Sequence, residues 1–384
     1  MEEWCQLHLS IDLLSHQKSV SSQVLGVKDL DGHLNSFTRT KVHFNWPYSA
    51  YQATNKGEFM SETIKGIIKP SELTPFIRPG NFLNALWILG QYSIAFGLIF
   101  AAHKLASPLF TLFCMFLMGI IQNTLATFIH EAAHGHVFTN KTLNDKLGHF
   151  FFAAPLFSYL EDYRYLHWEH HRHTGKINKD PELMLYRSMG LKTNQFTTRE
   201  VVMIFIKSLT GIHAIKGLLF LNKFYLTKRK EGLIKKPGLF EHASIAFWFI
   251  AIPFLMWKMN MLGTYLLVWI VPSYTFFTTM LLWHGFGEHI REKESCLCEN
   301  TFSHNFDFFT TQILYPINSS YHLEHHLYPQ LPWHSLKNFR HWAETNSEYK
   351  RLGSKLEADS YFFGEKSIAK LSFPRSQANE SLSP

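Results

Sequence analysis

A chain of 384 residues that is 46% hydrophobic and only 17% charged is too apolar to be disordered, and its long uncharged runs do not suit an ordinary soluble enzyme. Its 35 phenylalanines point to lipid as part of its solvent. The net charge of +7 raises nucleic acid and anionic membrane as partners, but the basic residues flank apolar stretches and form no single cationic domain, which favours a membrane surface and argues against nucleic acid.

Residues 1–80 mix polar sequence with short apolar pieces and end on Pro70, Pro75 and Pro79. They read as an N-terminal cytoplasmic or interfacial region, a cap or lead-in helix to which no chemistry is assigned. The opening MEEWCQLHLSIDLLSHQK lacks the long apolar core of a secretory signal. The four cysteines, Cys5, Cys114, Cys296 and Cys298, include no CxxC and read as free thiols in a reducing compartment.

From about residue 84 to 103 there is no Asp, Glu, Lys or Arg, and the run is long enough to span a bilayer. After a break at 104–108, a second apolar run reaches residue 129 and passes into His130 without a turn signal. One long helix is expected there, with Gln122 and Asn123 facing protein or water and not lipid. Residues 130–241 are the longest non-spanning segment. Within it, GHFFFAAPLFSYL is too short to cross, and VVMIFIKSLTGIHAIKGLLFL carries Lys207, His213 and Lys216, so an interfacial amphipathic helix is expected. Two further spans follow at about 244–259 and 262–283.

Only Lys104 and Lys258 sit at the two tight inter-span turns. By the positive-inside rule, both termini and all histidine clusters then face the cytoplasm. The expected fold is an all-α integral membrane protein, with four transmembrane helices as two hairpins, interfacial helices and a cytoplasmic histidine-rich cap. Residues 81–345 form the membrane domain, and 346–384 form a C-terminal tail ending in the disordered-looking SFPRSQANESLSP.

Eight of the 23 histidines fall in three clusters at helical spacing. His130 and His134 lie in HEAAH; His167, His170 and His171 lie in YLHWEHHRH; His322, His325 and His326 lie in YHLEHHLYP. Positions i, i+3 and i+4 share one helix face. Neutral imidazole is a good ligand for iron or zinc, and eight are too many for one ion, so two metals are the simplest arithmetic. If these histidines were merely structural, three coincidences of spacing on one membrane face would be required. HEAAH also matches the zinc-peptidase HExxH, in which Glu131 would be the general base; that reading of a membrane zinc hydrolase leaves the other two clusters without a role. Histidine-rich coordination suits iron that activates dioxygen, and apolar walls suit a substrate that arrives from the bilayer.

In order and spacing, HxxxH, HxxHH and HxxHH resemble the three histidine boxes of the membrane fatty acid desaturase superfamily, which also holds hydroxylases and carotenoid-modifying oxygenases. The likeness covers roughly residues 80–345. It implies a non-haem di-iron centre, O2 as co-substrate, a lipid substrate from the bilayer and two electrons from an external carrier. It also implies a ninth ligand between the fourth span and the third box, with His289 best placed and His284 the fallback. Asn318, four residues before His322, resembles an asparagine often found there and would support a ligand from outside the coordination shell if the helix is continuous. His173 is expected in the same supporting role. Asp180 either bonds a ligand imidazole or starts a turn with Pro181. Glu131, Glu169 and Glu324 are expected to be supporting partners or helix-surface charges. No haem, iron–sulfur or flavin motif is recognisable, so a separate ferredoxin or cytochrome b5 type donor is expected. The expected reaction is introduction of a double bond into a fatty acyl chain. Hydroxylation or ketolation by the same centre is the alternative, favoured by the carotenoid-ketolase-like HHRH and DPE surroundings.

Overall fold

Ser107 and Pro108 start the longest uninterrupted helix of the fold. The serine hydroxyl accepts the Phe110 N–H, and proline is tolerated in the first turn, where no intrahelical donor is needed. The computed structural model describes residues 64–368 except 79, 177, 192–197, 290–300 and 363. These all belong to one compact unit, Glu58–Pro384. The expectations for the N-terminal region up to residue 63, for Cys5, Cys296 and Cys298, and for the final tail lie outside the described residues. Cys114 is a buried free thiol.

Among the described residues, four helices are long and apolar enough to cross a membrane: α1 (Asn81–Leu105), α2 (Pro108–His134), α8 (Leu239–Lys258) and α9 (Leu262–Glu288). Between α1 and α2 the chain turns within two residues, helped by a left-handed Ala106. The outer faces of α1 and α8 expose large apolar side chains, among them Phe82, Leu89, Ile250 and Phe254, which water would not favour and lipid would. The inner faces meet around Phe128, Phe152, Tyr265 and Trp269. Helix α2 is the hub: α1, α9 and the second-box helix α4 (Leu160–His173) all pack against it. Its two mid-span amides are buried, and their N–H groups are satisfied. Gln122 donates to the Trp269 carbonyl (2.7 Å) and to Ser273 (2.9 Å), and Asn123 donates to the carbonyls of Ile313 and Leu314 (both 3.1 Å).

The non-spanning segment contains α3 (Lys141–Gly148), α4, α5 (Pro181–Ser188), α6 (Thr198–Leu209) and α7 (Ile212–Lys230). The stretch expected to form one interfacial helix is in fact α6 and α7, bent by 77°. The bend falls at Gly211, whose φ of +80° is left-handed and ends the first helix. Beyond α9 come α10 (Phe308–Leu314), α11 (His322–Leu327), α12 (Trp333–Ala343) and α13 (Ser347–Gly353). A short parallel pairing, β1 (Ser303–His304) with β2 (Glu357–Ala358), ties the chain after α13 back beside the third box.

Candidate metal centre

Four backbone segments deliver the clustered histidines. The C-terminal turn of α2 carries His130 and His134, α4 carries the second box, the residue after α9 is His289, and α11 carries the third box. Helix α2 stops where Gly135 turns left-handed, and Arg164 of α4 donates to the carbonyls of Ala132 and Ala133 (both 3.1 Å), which fixes α4 against that end.

The nine histidines converge as two groups. His130, His134, His167, His171 and His325 form one; His170, His289, His322 and His326 form the other, and within each group the donor atoms all lie within 4.8 Å of one another. In the first, Nε2 atoms meet at 2.9 Å (His130–His325), 3.0 Å (His325–His171), 2.9 Å (His171–His167) and 2.9 Å (His167–His134). In the second, the Nε2 of His289 faces those of His170 at 3.1 Å, His326 at 3.0 Å and His322 at 2.7 Å.

Such contacts cannot all be hydrogen bonds. An imidazole Nε2 carries one proton or one lone pair, so His289 can satisfy only one of its three neighbours. A cation at the focus of the lone pairs satisfies all of them. Metal–nitrogen bonds of about 2.0–2.1 Å meeting near right angles leave adjacent nitrogens about 2.9 Å apart, close to the spacing observed. The residues therefore fit two histidine-bound transition-metal ions.

Four of the opposite ring atoms face carboxylates. His170 Nδ1 meets Asp180 at 3.0 Å, His322 Nδ1 meets Glu288 at 2.9 Å, His130 Nδ1 meets Glu131 at 3.2 Å and His167 Nδ1 meets Glu182 at 3.5 Å. A carboxylate that takes the Nδ1 proton leaves the Nε2 lone pair aimed inward. Burial, reinforced by neighbouring imidazoles, holds His167, His171, His325 and His326 well below the ordinary histidine range, so these rings are neutral and able to donate. Burial opposes charge at His170 as well, but Asp180 and Glu182 outweigh it and push the ring up to about 9. The two carboxylates thus favour positive charge at this ring.

His284 lies outside both groups and bonds Glu288 through Nε2 at 2.8 Å, so His289 is the histidine brought to the cluster from this region. Asp180 does both things expected of it: it bonds His170 and also caps α5 by accepting the N–H groups of Glu182 and Leu183. Asn318 is not on a helix with His322. Ile317 and Asn318 are both left-handed and α11 begins only at His322, so the Asn318 amide instead donates to the Trp333 carbonyl at 3.1 Å. His173 also stands apart from both groups, with its Nε2 3.8 Å from Glu169. Glu169 is paired at the surface with Arg172.

Glu324 points away from the groups into a buried network. It accepts from Ser303 (2.6 Å), Arg340 (2.6 Å) and Tyr349 (3.0 Å). Glu131 sits on the Nδ1 side of His130, 3.4 Å from His136, and accepts the Trp333 N–H at 3.0 Å. It is therefore occupied and turned away from the nitrogens a zinc-bound water would need, which disfavours the hydrolase reading. Sequence reasoning missed Glu182 and Glu288. Both stand within a few residues of singled-out positions, yet only tertiary packing shows which ring each one faces.

Fold and site together define a multi-pass membrane protein with two histidine clusters able to hold metal. The chain belongs to the fatty acid desaturase family, whose model matches residues 106–353. A dihydrorhizobitoxine desaturase of Bradyrhizobium elkanii is 30% identical over 67% of this chain and 74% of its own length. A beta-carotene 4-ketolase of Protosiphon botryoides is 39% identical over 18% of this chain and 19% of its own. An sn-1 acyl-lipid omega-3 desaturase (ferredoxin) of Synechocystis is 34% identical over 24% and 26%. The protein is an oxidoreductase of this family.

Proposed function

We propose that the protein introduces a double bond into a fatty acyl chain of a membrane lipid, using two irons, dioxygen and two electrons from a separate carrier. The observation that carries this reading is the convergence of nine imidazole nitrogens into two adjacent groups beside an apolar helical bundle. The ligands are His130, His134, His167, His171 and His325 for one ion, and His170, His289, His322 and His326 for the other. Bound there, the iron pair supplies reduction of dioxygen coupled to removal of hydrogen from an unactivated C–H bond. Overall, –CH2–CH2– with O2, two electrons and two protons gives –CH=CH– and two waters.

The chain's own residues hold and shield that chemistry. Asp180, Glu182, Glu131 and Glu288 keep the Nδ1 protons, fixing ring tautomer and orientation. Phe128, Phe152 and Trp333 wall the adjoining interior against water. Residues 81–345 carry all nine histidines, and both termini and the site face the cytoplasm. There a ferredoxin or cytochrome b5 type protein delivers electrons; the ferredoxin in the name of the Synechocystis relative supports the first of these.

Similarity to beta-carotene ketolases over a short segment favours a second reading, insertion of oxygen into an aliphatic or carotenoid lipid at the same centre. Mass spectrometry of total lipids from an aerobic host expressing the chain, beside one expressing His326→Ala, separates the two. Species lighter by two hydrogens and absent with the variant are expected. Species heavier by oxygen would establish the second reading, and unchanged lipid profiles with both chains would overturn the proposal.

A further inference from the structure

The segment WHGFGEH, residues 283–289, contributes more than His289. Glu288 is buried, and one of its oxygens lies between two imidazoles, 2.9 Å from His322 Nδ1 and 2.8 Å from His284 Nε2. A carboxylate oxygen can accept from both rings, and each ring then has its proton on the nitrogen facing Glu288. For His322, this leaves the Nε2 lone pair pointing at His289, 2.7 Å away, in the four-histidine group. His284 takes no part in either group, so its buried ring serves to hold the carboxylate.

The glycines on either side explain how this arrangement is kept rigid. A Cβ at Gly285 would fall 1.6 Å from the Tyr186 hydroxyl oxygen; one at Gly287 would fall 1.9 Å from that of Tyr315 and 3.1 Å from His304 Nε2. Two phenol groups and an imidazole therefore press directly on the backbone that presents Glu288. His304 Nε2 donates to the Gly287 carbonyl at 3.0 Å, and Tyr315 donates to the His284 carbonyl at 3.3 Å. Both contacts pin the peptide groups on either side of the glutamate's own helical turn.

We infer that Glu288, held by His284 and by the Gly285–Gly287 cradle, is the positioning residue that sets the tautomer of His322 and so the affinity of the four-histidine group for its metal. This rests on the two-metal reading proposed above. Its charge also matters. Two carboxylates, Asp180 and Glu288, each face a different ring of this four-nitrogen group and offset a buried cation held only by neutral ligands.

The test is titration of the purified, metal-stripped full chain with ferrous iron under anaerobic conditions, read by elemental analysis and by thermal melting. Glu288→Gln keeps the shape but removes the charge, so its amide oxygen is a weaker acceptor for the two N–H groups and offsets none of the charge of a buried cation. Wild type is expected to bind one ion in each of its two groups. In Glu288→Gln, one of the two ions should bind about 10–100-fold more weakly. Glu288→Asp should recover part of that loss. His284→Gln, which still offers an N–H to the carboxylate, should lose less than His284→Leu. The melting point without metal reports folding separately, so a loss of affinity with that melting point unchanged supports positioning. Two ions bound by Glu288→Gln within about threefold of the wild-type affinities would overturn the inference and leave the metal centre intact. A wild-type chain that binds no iron would overturn the metal centre itself, and this inference with it.

Discussion

Replacing Arg340 with leucine removes the cation from the most buried arginine–carboxylate pair among the described residues. Glu324, directly before His325 and His326, is fully buried and has Arg340 at 2.6 Å as its only positively charged partner among the described residues. Arg340 also reaches Glu344 and Glu357, each at 2.5 Å, so one guanidinium from α12 joins α11 to β2. Removing one partner of such a pair leaves an uncompensated charge in low dielectric, at about 3–5 kcal/mol. With about 2–4 °C of melting temperature per kcal/mol in a large domain, the expected drop is roughly 6–20 °C. The assay is thermal unfolding of the detergent-solubilised chain, with Glu324→Leu and the double Glu324→Leu/Arg340→Leu variant completing a cycle. The double variant should be more stable than the sum of the single losses allows, because it strands no charge. Arg340→Leu melting within about 2 °C of wild type would refute the argument.

Gly119 lets α2 approach α9 closely: a Cβ there would fall 2.6 Å from that of Phe276 and 3.2 Å from the Phe277 nitrogen, so Gly119→Ala should cost about 1–3 kcal/mol in a denaturation series. Burial pushes the Asp162 carboxyl up to about 6 against the opposing pull of Arg229, above its ordinary 3.8. The native state therefore takes up this proton more readily than the unfolded chain, so the group's contribution to stability should grow as pH falls from about 7 to 4; Asp162→Asn should remove that component from melting curves collected across the window. Chelation of the iron-loaded protein should lower its melting point, by an amount equivalent to about 2.7 kcal/mol when free metal had stood at a hundredfold its dissociation constant. An unchanged melting point would count against metal at the histidine groups.

The histidine spacing was legible because a helix repeats every 3.6 residues, so HEAAH and the two HxxHH strings carry their geometry in one dimension. The four apolar spans were legible for the same reason, since crossing a bilayer demands an uninterrupted run. What the sequence left hidden depends on how helices dock. The apolar pattern continues through Thr210 and Gly211, so α6 and α7 read as one helix until the left-handed glycine bends them by 77°. Asn318 keeps helical spacing to His322, but the left-handed Ile317 and Asn318 break the register. Glu182 and Glu288 are ordinary glutamates until α4 and α11 bring imidazoles to them.

The division of the nine histidines between two groups follows from the helical turn itself. At about 100° per residue, positions i and i+4 lie about 40° apart, whereas i+3 falls on the other side of i by about 60°. In α4 the i and i+4 rings, His167 and His171, enter the first group, and the i+3 ring, His170, enters the second. In α11 the assignment is reversed: His322 and His326 enter the second group, and His325 enters the first. Each HxxHH therefore spans both groups and gives two rings to one and one to the other. The α2 pair brings the first group to five, and His289 brings the second to four. A box reduced to HxxxH could serve only one group, as the α2 pair does, so the extra histidine at i+3 is what makes α4 and α11 shared walls between two neighbouring histidine groups.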